Sequence, residues 1–118
     1  MNDVAERYLA CWNETDPQAR RKLIDEAWTE NATYSDPLAE VSGREAISEL
    51  IGMAQARFPG MVFTQAGAVD AHNRQARFRW SLGSEGAESL VDGFDVIVVD
   101  ADGKIATVLG FLDKVPVA

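Results

Sequence analysis

The stretch Val91-Asp92-Gly93-Phe94-Asp95-Val96-Ile97-Val98-Val99 lies inside a predicted β-strand that runs from Ser89 to Asp100. Side chains alternate between the two faces of a strand, so Asp95 shares its face with four small or apolar residues: Val91, Gly93, Ile97 and Val99. A carboxylate on a buried face is costly unless it is paired or protonated, whereas on an outer face it is simply solvated. Alternation alone leaves both placements open, and it makes Asp95 a candidate functional residue.

Three more strands are predicted on either side of this one from period-two patterns and the turn residues that bound them. They run from Val62 to Asp70, from Gln75 to Gly83 and from Lys104 to Lys114. Short turns at Asn73, at residues 83–86 and at Asp102-Gly103 separate the strands. Connections of this length join antiparallel neighbours, so the second half of the chain predicts an antiparallel sheet.

The beginning of the chain predicts two helices. The first carries an apolar stripe in which Tyr8 and Trp12 follow Val4 at four-residue spacing. The second begins with Asp16 as N-cap and Pro17 as first helical residue, where the missing N–H of proline costs nothing. Its buried stripe is predicted as Ala19, Leu23, Ile24, Ala27 and Trp28, and the helix should end near Glu30-Asn31.

A third helix is predicted to begin at Ser42, which forms a capping box with Glu45, and to end at Pro59-Gly60. Before it, residues 32–37 are predicted to be extended, because the residue before a proline avoids helical geometry. Helices followed by long antiparallel strands indicate an α+β fold, with the helices on one face of a curved sheet. With 118 residues, the chain is predicted to form one domain over residues 1–118.

Composition excludes several classes of function. Eleven basic and 19 acidic residues give a formal net charge of -8, which repels a phosphate backbone, so no nucleic-acid partner is expected. One cysteine and one histidine cannot build a transition-metal cluster or an intramolecular disulfide. No apolar run reaches the roughly 18 residues of a membrane span, and no secretion signal opens the chain. The expectation is a cytoplasmic protein without metal or membrane.

Three residues stand out once nucleotide-binding and hydrolase motifs are found to be missing. Asp36 precedes a proline and shares its face with Tyr34, although Asp-Pro pairs are more often turn initiators. Tyr8 lies on the apolar stripe of the first helix, where a core tyrosine with a backbone partner is the simpler reading. Together with Asp95, these residues leave both a structural and a catalytic interpretation open.

Four short motifs, Tyr34-Ser35-Asp36-Pro37, Gly43-Arg44-Glu45-Ala46-Ile47, Gly93-Phe94-Asp95-Val96 and Asp102-Gly103-Lys104-Ile105, occur in an order that resembles the nuclear transport factor 2-like (NTF2-like) superfamily. The SnoaL-like branch, with its polyketide cyclases and ketosteroid isomerases, is the most similar. The resemblance implies a cone-shaped fold in which three helices pack on a curved, mostly antiparallel sheet around an internal pocket. In this superfamily the same fold serves both enzymes and binding proteins.

The resemblance also implies roles for single residues. By analogy with ketosteroid isomerases, Asp36 shuttles a proton, while Tyr8 and a protonated Asp95 hydrogen-bond the substrate oxygen. The pocket wall is expected from Trp12, Tyr34, Phe63, Phe78, Trp80, Leu82, Ile97, Val108, Gly110 and Leu112. Cyclases and epoxide hydrolases of the superfamily use an aspartate on the last strand, and Gly110 stands at the matching position.

The expected function is therefore an isomerase-like proton shift beside a carbonyl, without cofactor, on a small apolar ligand with a polar or carbonyl group. The alternative is a non-catalytic module that binds a ligand or another protein. A homodimer is expected under either function, because Phe94, Val96, Val98 and Phe111 would leave an apolar patch on the outer face of the sheet.

Overall fold

The computed structural model describes residues 1–116, so the last two residues of the predicted domain lie outside the described range. In chain order the elements are α1 (Asn2–Asn13), α2 (Pro17–Ala27), β1 (Trp28–Ser35), β2 (Glu40–Ser42), α3 (Arg44–Arg57), β3 (Val62–Gln65), β4 (Asp70–His72), β5 (Gln75–Gly83), β6 (Val91–Val99) and β7 (Ile105–Lys114). No helix within residues 1–116 is long and apolar enough to cross a bilayer.

The seven strands form one curved sheet in the order β2-β1-β7-β6-β5-β3, and β4 also pairs with β5. Strands β1 and β7 run parallel, and the other described pairs are antiparallel. The three helices pack on one face of this sheet. The predicted α+β fold, with a curved and mostly antiparallel sheet, is confirmed.

The end of α2 differs from the prediction. The helix ends at Ala27, before the predicted Glu30-Asn31, and Trp28 is the first residue of β1. Trp28 pairs with Ile105 of β7, and its carbonyl accepts two hydrogen bonds from the Arg44 guanidinium, at 2.7 and 3.1 Å. The side chain is fully buried, as the helical stripe required. The pairing of Trp28 with β7, a strand near the other end of the chain, outweighs the local helical pattern at this residue.

The start of α3 also differs. Ser42 does not cap this helix, because it is the last residue of β2 and pairs with Thr33. Gly43 takes the N-cap position with a φ of +89°, a conformation that glycine adopts without strain, and no side chain caps the helix. The predicted end at Pro59-Gly60 is confirmed, since Phe58 is the C-cap.

The predicted strand from Val62 to Asp70 is divided. Gly67, with a φ of +98°, lies between β3 and β4, and both short strands pair with β5. The break lets one stretch of chain follow a strongly bent neighbour. By contrast, β5 has the predicted bounds, and β6 and β7 lie within the predicted ranges.

The core lies between the helices and the concave face of the sheet. Every second residue of β6, from Val91 to Val99, is buried on this face. Asp95 is among them, with 2% of its surface exposed. The outer, solvated placement of Asp95 is therefore excluded, and this carboxyl group needs a partner inside the protein.

Candidate active site

A cavity of about 460 Å³ opens between α1, α3 and the concave face of the sheet. Its wall includes the three side chains to which the resemblance gave catalytic roles: Tyr8, Asp36 and Asp95. Six of the side chains expected on the pocket wall also line it: Trp12, Tyr34, Phe63, Trp80, Leu82 and Leu112. A largely apolar wall with a few polar groups at one end is typical of small-molecule sites.

Tyr8 and Asp95 form a buried pair across the core. Tyr8 comes from the middle of α1 and is 1% exposed, and its hydroxyl donates a hydrogen bond of 2.7 Å to Oδ2 of Asp95 on β6. Burial raises the pKa of Asp95 to about 6, and the nearby Asp36 carboxylate adds to this rise. Burial also raises the pKa of Tyr8 well above its ordinary value. Tyr8 is therefore a neutral donor, and Asp95 titrates near physiological pH.

Asp36 has a different environment at the end of β1. The Tyr34 hydroxyl donates a hydrogen bond of 2.6 Å to Oδ2 of Asp36. Its other oxygen accepts the backbone N–H groups of Leu38 and Ala39, at 2.8 and 2.9 Å, in the turn after Pro37. The turn expected at Asp36 is confirmed, and the same turn fixes its carboxylate at the cavity wall, while its catalytic role stays a prediction.

Gly110 lets the two carboxyl groups lie close to one another. It pairs with Asp95 across β6 and β7. A Cβ atom at this position would lie 2.8 Å from Oδ1 of Asp95 and 3.3 Å from Cβ of Asp36. Any larger residue would have to push one carboxyl group away, so the glycine is a steric requirement of this cluster.

Two indole rings complete the polar end of the cavity. The buried N–H groups of Trp12 and Trp80 make no hydrogen bond of good geometry within residues 1–116, but they lie close enough to Tyr8 and Asp95 to act on them. The Trp80 ring covers Gly93 so closely that a Cβ atom there would overlap it. The N–H of Trp80 lowers the pKa of Asp95, and that of Trp12 lowers the pKa of Tyr8, but burial has the larger effect on each. These dipoles favour negative charge on the Tyr8–Asp95 pair.

Residues 5–108 match a family model described as a SnoaL-like domain. The chain belongs to the SnoaL-like domain family. A crystal structure described as a "putative isomerase of the SnoaL-like family", from Agrobacterium tumefaciens, is 41% identical in sequence. Its TM-score to this SnoaL-like chain is 0.90, and the match covers 94% of this chain and 95% of the other. The superfamily expected from the sequence motifs is confirmed.

More distant structures share the fold alone. An NTF2-like protein of unknown function from Exiguobacterium is 23% identical, with a TM-score of 0.73 over 93% of this chain and 98% of its own. A "putative polyketide cyclase" from Sinorhizobium meliloti is 19% identical, with a TM-score of 0.71 over 92% of this chain and 93% of its own. The search of curated proteins found no match.

Four residues expected on the pocket wall of this SnoaL-like protein do not line the cavity. Phe78, Ile97 and Val108 are at most 2% exposed and belong to the core beneath it, where Phe78 packs edge-on against Tyr8 with ring centroids 5.9 Å apart. Gly110 lies behind Asp95 and presents no side chain. The inward register of these residues is as expected, but their depth is not, because strand parity gives the face of a residue and not its distance from the opening.

Other lining residues were not expected from the sequence. The larger group comes from α1 and α3, and the rest from the turn after β1, from β6 and from the end of the chain: Leu9, Leu38, Ala39, Leu50, Met53, Ala54, Arg57, Phe58, Val91, Val115 and Pro116. Leu50, Ala54 and Phe58 recur every four residues along α3, an apolar spacing that could have assigned them to the wall. Arg57 gave no such signal, since a charged residue in the last helical turn is usually a solvated one.

Within residues 1–116, no three His, Cys, Asp or Glu side chains come together as metal ligands would have to. The chemistry open to the described cavity residues is proton transfer and hydrogen bonding. Asp36 and Asp95 can accept or release protons, and Tyr8 and Tyr34 can donate hydrogen bonds.

Proposed function

We propose that this SnoaL-like protein is a cofactor-independent enzyme that moves a proton on the carbon next to a carbonyl group of a small apolar ligand. The observation that carries the proposal is the pairing of two carboxyl groups in different environments at one end of an apolar cavity. Asp95 is buried and has a raised pKa, and Asp36 is held by three hydrogen bonds at the cavity wall. Two carboxyl groups in unlike surroundings can serve as acid and base at one pH.

Asp36 is the base of the proposed reaction. It lies at a strand end on the cavity wall, and its oxygens are oriented by two backbone N–H groups and Tyr34. It would take the proton from the carbon beside the carbonyl and return it elsewhere on the same ligand. A base positioned in this way typically contributes about 10²–10⁴-fold in rate.

Tyr8 and the protonated form of Asp95 are the proposed donors to the carbonyl oxygen. The enolate that forms when the proton leaves carries negative charge on this oxygen. Donors already in place in a water-poor site each contribute about 2.7–4 kcal/mol to stabilising such charge. The relative from Agrobacterium tumefaciens, which is described as a "putative isomerase", supports this reaction class.

The test is an ultraviolet assay of the conversion of β,γ- to α,β-unsaturated ketones, with a panel of small and steroidal enones. Asp36→Asn should lower kcat by about 100-fold or more, because an amide cannot take the proton. Asp102→Asn is the matched control: Asp102 is exposed in the turn between β6 and β7 and is not part of the cavity wall. Equal turnover in wild type and Asp36→Asn would contradict the assignment of the base.

A second function is favoured by the hydrogen bonds of Asp36. Both of its carboxylate oxygens already accept hydrogen bonds from within the protein, as those of a turn-forming aspartate do. A non-catalytic protein that holds an apolar carbonyl compound would have the same cavity. In that case neither wild type nor Asp36→Asn turns over any enone of the panel, while both bind the same ligands in titrations that follow Trp12 and Trp80 fluorescence.

A further inference from the structure

The charges on the cavity wall are separated along its depth. Asp95 belongs to the inner end and is 2% exposed, whereas Asp36 is half-buried on the wall, beside the turn that carries Leu38. Arg57 is exposed and lies at the opening, together with Leu38 and Met53, which are 81% and 70% exposed. Of the residues that line the cavity within the described chain, Arg57 is the one with a cationic side chain. The cavity therefore has a buried acid at its base and an exposed cation at its mouth.

Arg57 is not committed to a partner in the protein. The ion pairs found within residues 1–116 involve other basic groups and leave this guanidinium without a carboxylate in range. Its Cζ atom lies 5.7 Å from the centroid of the Phe58 ring, a cation–π contact that holds the group beside the cavity wall. Among residues 1–116 no group accepts a hydrogen bond from this guanidinium, so its N–H donors can serve a ligand.

We propose that Arg57 binds an anionic group of the ligand, and that the substrates are apolar carboxylic acids that carry their carbonyl group at the opposite end. This inference rests on the proposed function in taking the cavity as the ligand site. A guanidinium binds a carboxylate through two parallel hydrogen bonds, a geometry that an ammonium cannot provide. Met53 and Phe58, which line the wall next to Arg57, would exclude part of the water around this contact.

The same charges set the direction in which the ligand enters. Burial at the inner end, which already disfavours the charged form of Asp95, would equally disfavour an anionic end of the ligand, so that end stays at the mouth. The neutral carbonyl end then reaches Tyr8 and the two acids. With a net charge of -8, the protein as a whole disfavours anions, and a local cation is needed to reverse this preference.

The experiment compares acids with their methyl esters, which differ in charge and little in shape. The probes are 3-benzoylpropionate, a shorter and a longer aryl keto acid, and the methyl ester of each, titrated by tryptophan fluorescence at low and high salt. Wild type should bind at least one acid about fivefold more tightly than its ester at low salt, and high salt should reduce the difference. Arg57→Gln should remove or reverse the preference and leave the Kd of the ester unchanged.

Two further variants separate charge from structure. Arg57→Lys keeps the charge and should retain part of the preference, while Arg79→Gln removes an exposed arginine from the outer face of β5 and should change nothing. An unchanged acid-to-ester ratio in Arg57→Gln, or no preference in wild type, would overturn the role of Arg57 and leave the enone chemistry standing. If no member of any pair binds, the proposed class of apolar keto acids is wrong, and the enone assay decides the proposed reaction separately. Loss of enone turnover alone leaves the acid preference intact as a binding property.

Discussion

Asp95 affects both the stability of this SnoaL-like protein and its proposed chemistry. Its pKa of about 6 means that the carboxyl group is mostly ionised at neutral pH and mostly protonated below pH 6. The ionised form is stabilised by the Tyr8 hydroxyl but remains buried. The protonated form, which the proposed reaction uses as a donor, is the form that burial favours.

The first consequence concerns stability. The folded pKa of Asp95 is raised above 3.8, so its contribution to stability is fully present below about pH 4 and is lost as the pH rises through 6. A shift of about two units corresponds to about 3 kcal/mol. Asp95→Asn removes this dependence, so the variant should gain stability relative to wild type between pH 4 and pH 7.5. Urea unfolding at both pH values measures the difference, and a gap that does not change with pH would refute the raised pKa.

The glycines at positions 93 and 110 set the geometry around Asp95 from either side. Gly93 leaves room for the Trp80 ring, and Gly110 leaves room for the Asp95 carboxyl group. In the sequence, both look like weak points of a strand. Their meaning depends on which side chains face them across the sheet, and a strand pattern does not contain that information.

Among the secondary-structure elements, α2 contains a buried cation that holds the helices together. Arg20 is 6% exposed and donates hydrogen bonds to the Glu14 carbonyl at 3.2 Å, to Oε1 of Gln55 at 2.9 Å and to Oγ of Ser48 at 3.4 Å. Gln55 in turn donates to two carbonyls at the end of α1. Gly52 on α3 leaves space for the guanidinium, 3.1 Å from the position that a Cβ atom would take. The group satisfies backbone carbonyls that the end of a helix leaves open.

Arg20→Met should therefore destabilise the protein by about 2–3 kcal/mol, because three partly buried acceptors, one at the end of α1 and two on α3, lose their donor. Arg21→Met is the matched control: the neighbouring residue is half exposed and pairs with Asp25 on the surface of α2. Its loss should cost only about 0.5 kcal/mol. The measurement is the free energy of unfolding in urea. Equal effects of the two substitutions would show that the Arg20 contacts contribute little.

The secondary structure could be predicted where local pattern and tertiary contacts agree. The bounds of β5 and the inner face of β6 follow from alternation alone. Trp28 and Ser42 were wrongly assigned to helices. The local pattern at each residue indicates a helix, but in the structure each pairs with a strand from another part of the chain. Among site residues, Tyr8 and Asp36 could be nominated through the family resemblance, since their own patterns also fit a core tyrosine and a turn. Arg57 was missed, because its position at an opening exists only in three dimensions.

At the scale of the whole molecule, the outer face of the sheet carries an apolar surface. Phe111 and Leu109 on β7 are 55% and 44% exposed. They pair across the strands with Phe94 and Val96 of β6, and the Phe94 and Phe111 rings lie 6.1 Å apart. Contiguous exposed apolar side chains of this kind mark a contact surface on many proteins.

We therefore expect a homodimer that buries this surface. Phe111→Lys should shift the protein to the monomer in analytical ultracentrifugation at micromolar concentration, because the dimer would have to bury two charges near its axis. Leu38→Lys changes an apolar residue of even greater exposure at the cavity mouth and should leave the dimer intact. Wild-type protein that sediments as a monomer would rule out the dimer.

The parallel pairing of β1 with β7 also has a consequence for how the chain folds. These strands lie near opposite ends of the sequence, and the loop between them spans most of the molecule. Contacts so far apart along the chain are slow to form, because the entropy of closing the loop is lost before the contacts stabilise the product. Hairpins such as β5–β6 can assemble early. The pairing of β1 with β7, which places β1 in the same sheet as β6, is expected to form late. We expect the aromatic wall of the cavity to stay exposed until this pairing forms, so that association between unfinished chains can compete with folding.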